Sequence, residues 1–180
     1  MIIIGIDPGS VICGYGVIES ESGKISMIEY GVIKAKKKEE TYPLRLKEIF
    51  QRLEAVIARN LPDESAIESM FFSKNVQSLI KLSQARAVAM LASTLRQIPI
   101  TDYSPREIKK SVTGNGNADK VQVQYMVKKL LNIEETHEFY DATDALAVAI
   151  CHSFRRNSPV SAVKNWKDFL DKNPDKVFKV

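Results

Sequence analysis

The chain has 180 residues, enough for one domain with a real core and too few for two of ordinary size. Its apolar share of 44% and charged share of 27% are those of a soluble globular protein, and no apolar run approaches the roughly 20 residues of a membrane span. The net charge of +4 is carried by the segment after Phe154, where seven basic residues face three acidic ones, so the body is neutral and gives no strong polyanion signal by itself; what matters is whether its basic residues gather on one face. The start lacks the basic residues of a signal peptide, and Cys13 and Cys151 have no metal-ligand spacing; a reduced, cytoplasmic protein is expected.

The amino terminus, MIIIGIDPG, sets the frame. A continuous Ile run reads as a strand buried on both faces. Asp-Pro-Gly stops it, because Pro lacks a donor N–H and Gly tolerates positive φ. Asp7 therefore stands at the exit of a central strand, either as an Asx-turn or as a rigidly held ligand. Residues 14–19 predict a second strand, residues 20–24 a hairpin turn with its Gly, and residues 25–34 a third strand, an antiparallel meander. The charge run from Lys34 to Glu40 reads as a solvated loop, with a DNA contact as the alternative.

Pro43 opens a helix at the first-turn position it favours, and Leu46, Ile49, Phe50, Leu53, Val56 and Ile57 form its apolar stripe. Residues 65–68 form a short strand ending on Glu68. A strand reached through a helix is usually parallel to an earlier one, so Glu68 is a candidate neighbour of Asp7. Asn75 begins a helix running to about Gln97. Its main stripe is Val76, Ile80, Ala87, Leu91 and Leu95; Leu82, Ala85, Ala89 and Ala92 make a second one on nearly the opposite side. One side packs on the sheet, and the other calls for a further helix or, as we favour, a second subunit.

Residues 98–103 give a fifth strand. Ser104-Pro105 starts a helix carrying Lys109 and Lys110, and Asn117 is a natural cap for the next, residues 118–131. Lys120 lies in that helix's first turn, where a cation opposes the dipole and an anionic partner would offset the cost. In the last strong helix, Asp141 and Asp144 are three apart and share one face; Ala142, Ala145, Leu146 and Ala149 form its packing face. Two acids in a first helical turn also simply favour the macrodipole. His152 lies about three turns further on, roughly 16 Å from Asp141 and outside any shared first metal shell.

Two strand-end carboxylates and two helical ones would repel one another by about 4 kcal/mol per pair at 4 Å and an effective dielectric near 20. Such a set needs protons or cations. All-oxygen ligands point to Mg²⁺ or Mn²⁺ rather than Zn²⁺. Two ions about 3.5–4 Å apart would activate a water and stabilise the leaving oxygen of a phosphodiester.

GIDPGS near the start, Glu68-Ser-Met-Phe71, Lys74-Asn75, the Leu79–Arg86 helix and Asp141-Ala-Thr-Asp144-Ala-Leu-Ala resemble the RuvC family of crossover (Holliday) junction endonucleases. The resemblance runs from Met1 to about His152. It implies an α/β, RNase H-like domain over residues 1–156, with a mixed five-stranded sheet (three antiparallel strands, then two parallel) flanked by helices. Residues 157–180 would be a basic tail. It further implies a homodimer, Mg²⁺-dependent symmetric nicking of four-way DNA junctions, and cooperation with the branch-migration proteins RuvA and RuvB. The family's four acidic ligands match Asp7, Glu68, Asp141 and Asp144. Its DNA-stacking aromatic matches Phe71 and its DNA-contacting lysines match Lys109 and Lys120; Lys74 and Arg86 lie in the same motifs as further DNA-binding candidates. GIDPGS also resembles the phosphate loop of actin-like and sugar-kinase ATPases, but those need two lobes, for which 180 residues leave little room. A junction-binding protein with an inactive site, and a nuclease acting on RNA or RNA–DNA hybrid, are the other readings.

Overall fold

In the computed structural model, which describes residues 1–35, 41–70, 75–134 and 140–157, five strands form one sheet. They are β1 (Ile2–Asp7), β2 (Ile12–Glu21), β3 (Lys24–Lys34), β4 (Glu64–Glu68) and β5 (Ile100–Tyr103), in the order β3-β2-β1-β4-β5. The first three are antiparallel, whereas β4 and β5 run parallel to β1. Ser22 and Gly23 both take positive φ in the two-residue turn between β2 and β3, the geometry whose twist matches that of the hairpin. Both strands of that hairpin are longer than their sequence predicts, because regular pairing extends from Ile12↔Lys34 to Glu21↔Lys24.

Side chains alternate across the sheet and so divide the core into two. Ile4, Ile6, Val17, Ile33 and Ile67 face one side, covered by α1 (Tyr42–Asn60) and α2 (Val76–Thr94). Ile3, Ile18, Ala66 and Tyr103 face the other, covered by α3 (Pro105–Thr113), α4 (Lys120–Leu131) and α5 (Tyr140–Asn157). Pro43 sits in the first turn of α1, and Leu61, left-handed at φ 47°, ends it just before Pro62. Ile49, Leu53, Val56 and Ile57 are its buried stripe, as the periodicity predicts.

One local choice left open is decided, and one expectation is corrected. On α2 the small residues are the ones that pack: Ala85, Ala89, Ala92 and Ser93 are buried, and Ser93 Oγ donates to Ser65 Oγ of β4 at 3.1 Å. The larger stripe of Val76, Ile80, Leu91 and Leu95 is exposed. Small side chains let the helix backbone approach its neighbours closely, and that outweighs the greater apolar area of the larger ones. The cap of α4 is Asp119 rather than Asn117, because Asp119 and Gln122 satisfy each other's backbone N–H groups reciprocally.

Candidate active site

The alternation that divides the core also aims the acids. Asp7 has the parity of Ile3 and Gly5, and Glu68 that of Ala66, so both point to the face covered by α5. The parallel pairing of β1 with β4 brings the two strand ends to the same edge of the sheet. Asp141 and Asp144 lie in the first turns of α5.

How α5 comes so close is a matter of missing side chains. Gly5 pairs with Gly16 across β1 and β2, and Asp7 with Gly14. A Cβ on Gly5 would come within 2.2 Å of the Ala145 carbonyl oxygen, and one on Gly14 within 2.0 Å of that of Asp141. The helix answers with Ala142, Ala145 and Ala149, all buried. Backbone lies nearly on backbone, and the two helical aspartates are delivered to the end of β1.

Asp7, Asp141 and Asp144 each offer an oxygen, and these oxygens lie within 4.8 Å of one another. Glu68 lines a cleft together with Asp7, close enough for its charge to bear on that carboxyl. Burial, then the charges of Glu68, Asp144 and Asp141, push the Asp7 carboxyl up to about 8. Burial and the charge of Asp144 raise Glu68, and burial raises Asp144 against the pull of Lys120. The Lys120 Nζ stands 2.8 Å from Asp144 and 4.0 Å from Asp141. Burial alone would lower that ammonium, but its bond to Asp144 and the neighbouring negative charges hold it above the usual lysine range. Lys109 of α3 joins Lys120, Glu68 and Asp144 in one cleft whose apolar lining includes Ile108 and Val123. This donor set fits a hard divalent cation: it is all oxygen, half-buried, and short of positive charge.

The remaining candidates are placed differently. Phe71 and Lys74 lie outside the described residues. Arg86 is on the α2 side, with its Nη2 2.6 Å from Asp102 of β5, so its charge is already met there. His152 is buried, bonded through Nδ1 to the Tyr103 hydroxyl at 2.9 Å and through Nε2 to Glu64 at 2.5 Å. No helix among the described residues is long and apolar enough to cross a membrane.

The model of the family "Crossover junction endodeoxyribonuclease RuvC" matches residues 3–152. The chain belongs to the RuvC family. RuvC of Porphyromonas gingivalis is 49% identical over 98% of this chain and 96% of its own length, and that of Bacteroides fragilis 47% over 98% and 95%. The solved structure of T. thermophilus RuvC in complex with a Holliday junction substrate superposes with a TM-score of 0.81. It covers 87% of this chain and 94% of its own at 29% identity, and the shared architecture is the RNase H-like fold.

What sequence reasoning missed in this RuvC-family chain is the support beneath the acids. Gly5, Gly14 and Gly16 all belong to the face that receives α5. A signal existed: Gly14 and Gly16 are two apart in a strand, where Gly is otherwise costly. The Glu64–His152 pair had none, because its members are 88 residues apart.

Proposed function

We propose that this RuvC-family chain resolves four-way DNA junctions by paired symmetric nicks, in homologous recombination and DNA repair. The observation that carries the reading is the grouping of Asp7, Asp141 and Asp144, whose oxygens lie within 4.8 Å of one another, with Glu68 lining a cleft beside Asp7. These four would hold Mg²⁺, with Mn²⁺ able to substitute and two ions per site, and the ions would supply water activation and stabilisation of the leaving oxygen.

The chain's own residues do the rest. Asp7 and Glu68, on paired strands, fix half of the donor set rigidly, while α5 sets the position of the other half. Lys109 and Lys120, on neighbouring helices beside the carboxylates, would hold phosphates without reading base identity. Phe71 would stack on an unpaired base, worth about 1–3 kcal/mol, and Lys74 would add a phosphate contact. Arg86, which pairs with Asp102 on the α2 side, would be a further DNA contact.

A homodimer completes the proposal. A junction cut in two like strands has the symmetry of two identical sites about a two-fold axis. The exposed Val76, Ile80, Leu91 and Leu95 of α2 supply an apolar face for such a partner. The protein would act in the cytoplasm alongside RuvA and RuvB. The test is Asp7→Asn on a synthetic four-way junction with Mg²⁺. Binding is retained, and nicking falls at least about 100-fold, since a ligand matters no less than the supporting contacts whose loss costs 10–100-fold. Nicking by the variant at the wild-type rate would overturn the assignment.

A further inference from the structure

One contact works against the chemistry just proposed. Lys120 offers the site a cation of its own, with Nζ 2.8 Å from Asp144 and 4.0 Å from Asp141. The placement is built in. The reciprocal bonds of Asp119 and Gln122 fix where α4 starts, and Lys120 is its first residue. A cation there opposes the helix dipole, and Asp144 offsets that cost. The same ammonium borders the cleft it shares with Lys109, where a phosphate would lie.

We infer that Lys120 is an internal counter-ion of the carboxylate cluster, displaced when divalent metal enters and received by a DNA phosphate, so that metal loading and DNA binding assist each other through this one side chain. The inference rests on the reading of the four carboxylates as the cation site. In the DNA-free protein, a divalent ion among Asp7, Asp141 and Asp144 must replace the attraction between Asp144 and an ammonium 2.8 Å away, and would repel that ammonium. Lys120 therefore weakens metal binding while it is held at Asp144. A phosphate in the cleft gives it an anion away from the carboxylates, and the penalty on metal falls. Linkage makes the effect reciprocal: if DNA tightens metal binding by some factor, metal tightens DNA binding by the same factor.

The full chain is titrated calorimetrically with Mg²⁺ alone, without DNA, as wild type, Lys120→Gln, Lys120→Arg and Lys109→Gln. Lys120→Gln folds, as its thermal midpoint will show, because it removes a cation from the first turn of an exposed helix start. It binds Mg²⁺ about three- to fivefold more tightly, the scale of a half-exposed ion pair. Lys120→Arg, which keeps the charge, restores the weaker wild-type affinity. Lys109→Gln, which acts on Glu68 and Asp144 only through its field, changes less than Lys120→Gln.

A second readout is the Mg²⁺ concentration for half-maximal single-turnover nicking of a four-way junction, compared with the Kd of the free protein. In wild type the nicking midpoint lies below that Kd; in Lys120→Gln the gap closes. An unchanged or weaker Mg²⁺ affinity in Lys120→Gln, or a gap that persists, overturns the inference. The two readings fail separately. If wild type nicks junctions and Asp7→Asn does not, while Lys120→Gln binds no more tightly, only the counter-ion role falls. If Lys120→Gln tightens Mg²⁺ binding but wild type does not nick, only the proposed activity falls.

Discussion

Strand β4 and helix α5 meet at both ends of their contact, and the two meetings are electrostatic opposites. At the first residue of β4, Glu64 receives His152 at 2.5 Å and Arg156 at 2.7 Å, and Tyr103 holds the other imidazole nitrogen. At the last residue, Glu68 meets Asp7 and Asp144, acid against acid. The strand, the face and the helix are the same. One end is a closed network in which every charge has an answer; the other is short of positive charge, and Lys120 fills only part of the deficit. A fold that satisfies its acids at one end and sets them against each other at the other is spending stability on a site.

The largest effect comes from lifting α5 off the sheet at the acidic end. Gly14→Val would force a side chain against the Asp141 carbonyl, which an added Cβ already approaches to 2.0 Å. Stability falls by about 1–3 kcal/mol, as for overpacked cores. Nicking falls by about 100-fold, since a misplacement of about 1 Å at a reacting centre costs that much. Junction nicking within fivefold of wild type would show that the helical aspartates need no such spacing.

A smaller effect sharpens the contrast by its sign. Glu64→Gln leaves Arg156 and His152 without their carboxylate, and the metal-free protein loses about 1–3 kcal/mol. Asp7→Asn, the same change from acid to amide, removes repulsion and raises the metal-free thermal midpoint. Calorimetric melts of the two variants in a chelator decide it: midpoints moving in the same direction would deny that the ends differ in kind.

Much of this was legible in the sequence, and the rest failed for physical reasons. The parallel crossover put Asp7 beside Glu68, and the three-residue spacing put Asp141 and Asp144 on one side of α5, because those relations are local or follow from chain direction. Which side of α2 packs was left open because periodicity counts apolar area, whereas the packed side of that helix is chosen by how closely backbones approach; Ala85, Ala89 and Ala92 carry little area. The α4 cap was misplaced because Asn117 is a good cap in isolation, whereas Asp119 has Gln122 to complete the exchange. The Arg86–Asp102 pair went unseen because its two members lie on different elements. Side-chain pairings between distant residues that no chain-direction rule governs leave no trace in a single chain.

The subtlest difference between the two ends is their response to pH. In the folded, metal-free chain the Asp7 carboxyl is held at about 8 against an ordinary 3.8, by burial first and then by its acidic neighbours. The folded state thus binds this proton more tightly than the unfolded state. Its stabilising effect is complete below about pH 4 and is lost as the pH climbs through about 8. Asp7→Asn has no such proton to lose. The midpoint advantage of the variant over metal-free wild type therefore widens from pH 5 to pH 8. Mg²⁺, entering where the proton leaves, narrows it again, and the stabilisation of wild type by Mg²⁺ grows with pH over the same range. Melting curves of wild type and Asp7→Asn that run parallel from pH 5 to pH 8 would mean that the acidic end carries no excess of negative charge for a metal to answer.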